Sequence, residues 1–166
     1  HRRISTASNW QELSKWYWDV AVPHLEKTNA AMTNRVAELP KDVSAIYKWV
    51  AQEVRYMGLT MEDTSPGYAP HDVSLTFDNR YGVCRDKAAL LVAMLRLAGF
   101  RAFPVLIHVG AKLDPEVPQP FFNHAIAAAE GEGVDLDVAR RDVAGPDAFA
   151  GGARRAVFHF IAPTAP

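Results

Sequence analysis

The chain has 166 residues, with 18 Lys and Arg against 19 Asp and Glu and a formal net charge of −1, so no global field favours nucleic acid or an anionic membrane. Its length and its 49% hydrophobic content describe one folded domain able to bury a core without staples. A single cysteine excludes an intrachain disulfide and a multi-cysteine zinc site, and no apolar run approaches the roughly 18 residues of a spanning helix.

The opening HRRISTASNW lacks a signal peptide's apolar core and does not resemble an initiation site. A fragment of a longer protein, with its targeting signal elsewhere, is therefore expected. Residues 8–26 predict a first helix capped by Ser8, in which Trp10, Leu13, Trp16 or Tyr17, and Val20 recur at helical spacing. Pro23 is expected to end or kink it. A short helix fits Ala30 to Leu39. The stretch DVSAIYKWVAQEVRYM predicts a third, capped by Asp42 or Ser44, with Ile46, Trp49, Val50 and Val54 on one face.

Residues 58–82 hold Pro66-Gly67, Pro70 and Asp78-Asn79, and read as a loop with one helical turn through Val73–Phe77. From Cys84 to Ala98, the residues Ala88, Leu91, Val92, Leu95 and Ala98 make a broad apolar stripe that Gly99 terminates. Strands are expected at Arg101–His108, His124–Ala129 and Gly133–Val138, with a three-proline loop at 110–120 between the first two. A last strand fits Ala156–Ile161. Helices followed by a meander of strands make an α+β domain.

The chemistry concentrates on YGVCRDKAALL, where Cys84 stands at the start of a helix. A thiol attacks as thiolate, and the unpaired N–H groups and dipole of a helix N-terminus favour that anion. Gly82 permits a tight approach. Asp86 is expected to satisfy backbone N–H groups at the helix start, while Arg85 and Lys87 are expected on a solvated face. A nucleophile needs a base held by a third group. Of six histidines, His1 and His24 read as bland. His124 opens a strand directly after a loop, and Asp135 and Asp137 lie on the next strand. A zinc site of Cys84, His71, His108 and His124 finds no support in ligand spacing, and no metal or other cofactor is expected.

The run YGVCRDKAALLVAMLRLAGFRAFPVLI, followed by FNHAI and then LD, resembles the transglutaminase-like superfamily of papain-type cysteine enzymes, in particular its bacterial extracytoplasmic branch. IYKWVAQEVRYMGL and GYAPHDVSLTFDNRYG resemble the helix and loop that precede the cysteine there. The resemblance implies a papain-like/transglutaminase-like core whose central, cysteine-bearing helix packs on an antiparallel sheet. It implies Cys84 as nucleophile, His124 as general base and acid, and Asp137 as the orienting carboxylate. The family's Leu-Asp-Pro-Thr stretch reads Leu136-Asp137-Val138-Ala139 here, so Asp135, two residues away on the same strand face, stays open as the alternative. Val83 stands where Asp is common.

Gln52 is a further oxyanion candidate, with an exposed helix position as its other reading, and Tyr68, His71 and Tyr81 are candidates for the cleft wall. The tryptophans are expected in helix packing and at a groove edge. Three segments follow: an N-terminal helical part at 1–42, a core at 43–137, and a C-terminal part at 138–166. The activity implied is hydrolysis of a peptide or amide bond through a thioester. Protein cross-linking, or peptide binding without turnover on the same fold, are the alternatives. A peptide or protein substrate, no nucleic acid, no membrane insertion and a periplasmic or extracellular location complete the expectation, and the oligomeric state is not legible.

Overall fold

The computed structural model describes residues 7–57, 67–109, 117–118, 121–130 and 155–158. The expected strand at 133–138, with Asp135 and Asp137, lies outside the described residues.

Helix α1 runs from Trp10 to Leu25. Its cap is Asn9, not Ser8: the Asn9 side chain accepts the Glu12 N–H at 2.8 Å, and the Glu12 carboxylate accepts the Ser8 N–H at 2.7 Å. Asn9 thus caps the helix one residue after the expected start, and Glu12 reaches back past the cap to the preceding N–H, a variant of the capping box. Leu13, Tyr17, Ala21 and Leu25 form its buried row at four-residue spacing, and Trp16 faces outward. Pro23 falls in the last turn, where it forfeits one bond, and the helix continues two residues past it.

Helix α2 (Ala30–Glu38) is capped by Asn29 and α3 (Val43–Glu53) by Asp42, whose carboxylate accepts the Ala45 N–H at 3.0 Å. Helix α3 stops short of the expected Met57. Val54 turns extended, and Arg55–Tyr56 forms a two-residue strand, β1, parallel to β2 at Tyr81–Gly82. Between them the expected turn is a full helix, α4 (Val73–Asn79), which ends at Arg80 with φ +59°.

The central element is α5 (Cys84–Leu97). Every residue from Asp86 to Leu95 is buried, so the helix is enclosed all round instead of presenting one stripe. Helices α1 to α4 pack on it, and so do strands β3 (Arg101–Ile107) and β4 (His124–Glu130). Strand β4 pairs antiparallel with β3 on one side and with β5 (Arg155–Phe158) on the other. Its sequence HAIAAAE explains the close fit: Ala127 and Ala129 join the core with Leu90, Leu91 and Met94, and small side chains let helix and sheet approach. The fold is the expected α+β arrangement, a cysteine-bearing helix laid on an antiparallel sheet.

Candidate active site

Cys84 is the first residue of α5 and is partly exposed. The first helical bond runs from the Lys87 N–H to the Val83 carbonyl, so the N–H groups ahead of it belong to the unpaired end of the helix. The turn leading in is held from inside. Asp86, 2% exposed, accepts the Val83 N–H on Oδ2 at 3.1 Å. Its Oδ1 accepts the His71 backbone N–H at 3.0 Å and faces His71 Nδ1 at 3.1 Å. The capping role expected of Asp86 is present, and it extends to a histidine 15 residues upstream. Gly82 makes this possible, because a Cβ there would stand 2.7 Å from Asp86 Cβ.

The two basic neighbours are not on a solvated face, which corrects the reading of the sequence. Arg85 Nε donates to the Ala69 carbonyl at 2.9 Å. Lys87 is 3% exposed and donates to the Val54 carbonyl at the end of α3. Burial lowers its pKa to about 8. The loop and the core each offer a carbonyl that no residue-type preference could have announced.

His124 opens β4, half-buried and paired in register with Ile107. A strap of loop residues ties its neighbourhood to the cysteine. Arg85 holds Ala69 O, and the adjacent Tyr68 donates its hydroxyl to Phe122 O at 3.2 Å, two residues before His124. Tyr68 also meets the rings of Trp16 and Phe122 edge-on, at 5.8 and 6.1 Å. Asn123, next to His124, spends its side-chain amide on both backbone groups of Val109 and so closes the neck of the β3–β4 connection. The remaining candidates scatter: Tyr81 is 52% exposed on β2, and Gln52 is an exposed residue of α3.

Two tyrosines missed by the sequence reading stand within electrostatic reach of the thiol. Tyr17, buried on α1, is held well above the usual phenol range by burial first and then by the charge of Cys84, with Arg85 opposing and Asp86 adding a smaller push upward. Tyr56 on β1 is raised by burial and then by Cys84. Both therefore stay neutral phenols. Tyr17 could be read only as a packing residue of an amphipathic helix, since its neighbour in space lies 67 positions away.

Cys84 thus begins the central helix, and His124 begins a strand of the sheet packed on that helix. The family model of the transglutaminase-like superfamily matches residues 26–129. The chain belongs to the transglutaminase-like superfamily. The match spans α2 to β4 and contains both Cys84 and His124. Among solved structures, the chain is similar to one described as "a putative protease" from Parabacteroides distasonis, with a TM-score of 0.57, 18% identity and 77% of this chain covered. The aligned part is 26% of that protein, so this chain spans about a quarter of its length, and the likeness shows the transglutaminase-like fold. No curated protein matches the chain.

Proposed function

We propose that this transglutaminase-like domain hydrolyses a peptide or amide bond through Cys84, His124 and Asp137, with Asp135 as the alternative third member. The observation that carries the reading is the strap: Arg85 to Ala69, then Tyr68 to Phe122, joins the cysteine end of α5 to the segment that leads into His124. It would hold two groups from distant parts of the chain at one cleft, as a nucleophile and its base require.

In the first step the Cys84 thiolate attacks the carbonyl carbon and forms a C–S bond. The oxyanion develops toward the N–H groups at the N-terminus of α5, and His124 gives a proton to the departing amine as the C–N bond breaks. Water then surrenders a proton to His124 and attacks the thioester, releasing the acid and restoring the thiolate. A primary amine in place of water would give transamidation. Tyr17 and Tyr56, kept neutral, add no negative charge beside the thiolate.

The test is the pH dependence of Cys84 alkylation by iodoacetamide in the wild type and in His124→Ala. The expected result is a wild-type thiol that reacts at neutral pH about tenfold or more faster than a free peptide thiol, with that advantage lost in the variant. If both proteins react alike, as an ordinary thiol does, the nucleophile–base pair is not assembled and the reading falls.

A further inference from the structure

A groove of about 830 Å³ runs between α1 and β3, lined by Trp10, Tyr17 and Trp18 on the helix, by Phe103 to Leu106 on the strand, and by Phe122. Two of its walls lead to the candidate active site. Tyr17 feels the charge of Cys84, and Phe122 stands two residues before His124. Register extends the second link. Phe103, Val105 and Ile107 oppose Ala128, Ile126 and His124, so His124 shares a sheet face with two residues of the groove.

The strand wall also presents backbone. Among the described residues β3 is the outer strand of its sheet. Ile107 O accepts the Asn123 N–H at 3.1 Å, which turns the polar groups of Ile107 toward β4. Those of Leu106, Pro104 and Ala102 then point the other way, since successive residues of a strand alternate. Two observations agree. Ala102 O is taken by Arg96 Nε at 2.8 Å and not by a strand, and Pro104, which has no N–H to give, sits where a proline is tolerated at an edge. The outward groups of Leu106 and the Pro104 carbonyl therefore offer one donor and two acceptors at strand spacing beside an aromatic wall. The one charged side chain of the lining, Lys15, pairs with Asp19 on the exposed side of α1.

We infer that this groove binds the substrate as an extended peptide, added to the edge of β3 as a further strand, with uncharged apolar side chains against Trp10, Trp18, Phe103 and Phe122. The inference rests on the hydrolytic reading only in calling the peptide a substrate; binding is a property of the groove itself. Backbone bonds to the edge give affinity without regard to sequence, and the aromatic wall selects large apolar residues. A charged side chain laid against the rings of Trp18, Phe103 and Phe122 would give up water for an apolar surface.

The experiment uses Cys84→Ala protein, so that no turnover intervenes. Acetylated and amidated hexapeptides carrying Phe, Leu, Gly, Asp or Lys at the two central positions are titrated, following the fluorescence of the groove tryptophans. Phe and Leu peptides should bind about tenfold or more tightly than Gly, Asp or Lys peptides, as burial of one large apolar side chain implies. Adding Leu106→Pro removes the edge N–H while sparing the ladder to β4, and should weaken the Phe peptide at least about fivefold. Should that variant unfold on heating before the parent does, Ser14→Trp, an exposed α1 substitution that fills the groove, takes its place with the same expected loss. Equal binding across the panel, no binding at all, or full binding to the blocked groove overturns the inference. Wild-type protein given the best-binding peptide then separates the two claims. A bound peptide that never acylates Cys84 ends the hydrolytic reading and leaves the groove, whereas acylation without side-chain preference does the reverse.

Discussion

His71 Nδ1 stands 3.1 Å from Oδ1 of the buried Asp86, and the same oxygen accepts the His71 backbone N–H at 3.0 Å. One carboxylate thereby fixes a loop histidine twice, and with its other oxygen holds the Val83 N–H next to the cysteine. The loop at 67–72 and the start of α5 are one hydrogen-bonded unit. Asp86→Asn keeps the shape but turns an amide N–H toward a donor that had an acceptor. It should cost about 2–3 kcal/mol by urea unfolding, the range for a buried bond to a charged group whose partner is left unpaired. His71→Ala, which spares the Val83 bond, should cost about half as much. Equal losses in the two variants would mean that Asp86 acts through His71 alone.

Gly82 is required by this same carboxylate. A methyl at position 82 would meet Asp86 Cβ at 2.7 Å and Thr76 Cγ2 at 3.3 Å, and both belong to enclosed elements that cannot retreat freely. Gly82→Ala should destabilise the protein by about 1–3 kcal/mol, as overpacking does. It should also slow Cys84 alkylation under conditions where the variant is folded, because Asp86 must shift with the turn. Unchanged stability would show that the turn can move, and that the fit around Asp86 is looser than the distances indicate.

What could be read in the sequence follows the range of the forces involved. The α5 helix was legible because a turn, a glycine and a long apolar run are local signals, and His124 because a strand opening after a loop is one too. Asn9 displaced Ser8 as a cap because both residue types do the task, and only Glu12 three positions on decides between them. Lys87 was misread for a different reason. Its acceptor, the Val54 carbonyl, is 33 residues upstream, and a lysine's residue type argues for solvent. The same holds for Arg85 with Ala69, for His71 with Asp86, and for Tyr17 beside Cys84. Each is a pairing that exists only once α5 has been surrounded.

Arg80 closes α4 in the left-handed region, φ +59°, with its guanidinium 4.6 Å from the Trp49 ring centroid and 4.3 Å from that of Phe77. The two rings stack on each other at 5.4 Å. The backbone there favours glycine by about 1 kcal/mol, and the ring contacts return a comparable amount, about 0.5–1 kcal/mol each. Arg80→Ala keeps the strain and loses the rings, so a loss of about 1–2 kcal/mol is expected. Arg80→Gly loses the rings but relieves the strain, and should be the more stable of the two variants by about 1 kcal/mol in thermal unfolding. An alanine variant more stable than the glycine variant would contradict the left-handed assignment.

Lys87 gives a pH dependence with a definite sign. Its pKa is about 8 in the folded protein against 10.5 ordinarily, because burial disfavours the charged ammonium. Between those values the unfolded chain binds more protons than the folded one, so this residue makes stability rise with pH from about 8 to 10.5. Below that window Lys87 is charged in both states and its penalty is constant. Lys87→Met removes the titrating group and keeps an apolar stem of similar length, at the loss of the bond to Val54. The stability of the wild type relative to Lys87→Met should therefore climb across the window by at most about 3.5 kcal/mol, the fall from 10.5 to about 8 converted at about 1.4 kcal/mol per pH unit. Other lysines and tyrosines titrate there in both proteins and cancel in the difference. Urea unfolding of the pair at half-unit steps from pH 7 to 10.5 is the measurement. A difference that stays flat in pH would mean that the Val54 carbonyl and its surroundings compensate the buried charge in full, and a difference that falls would reverse the assignment.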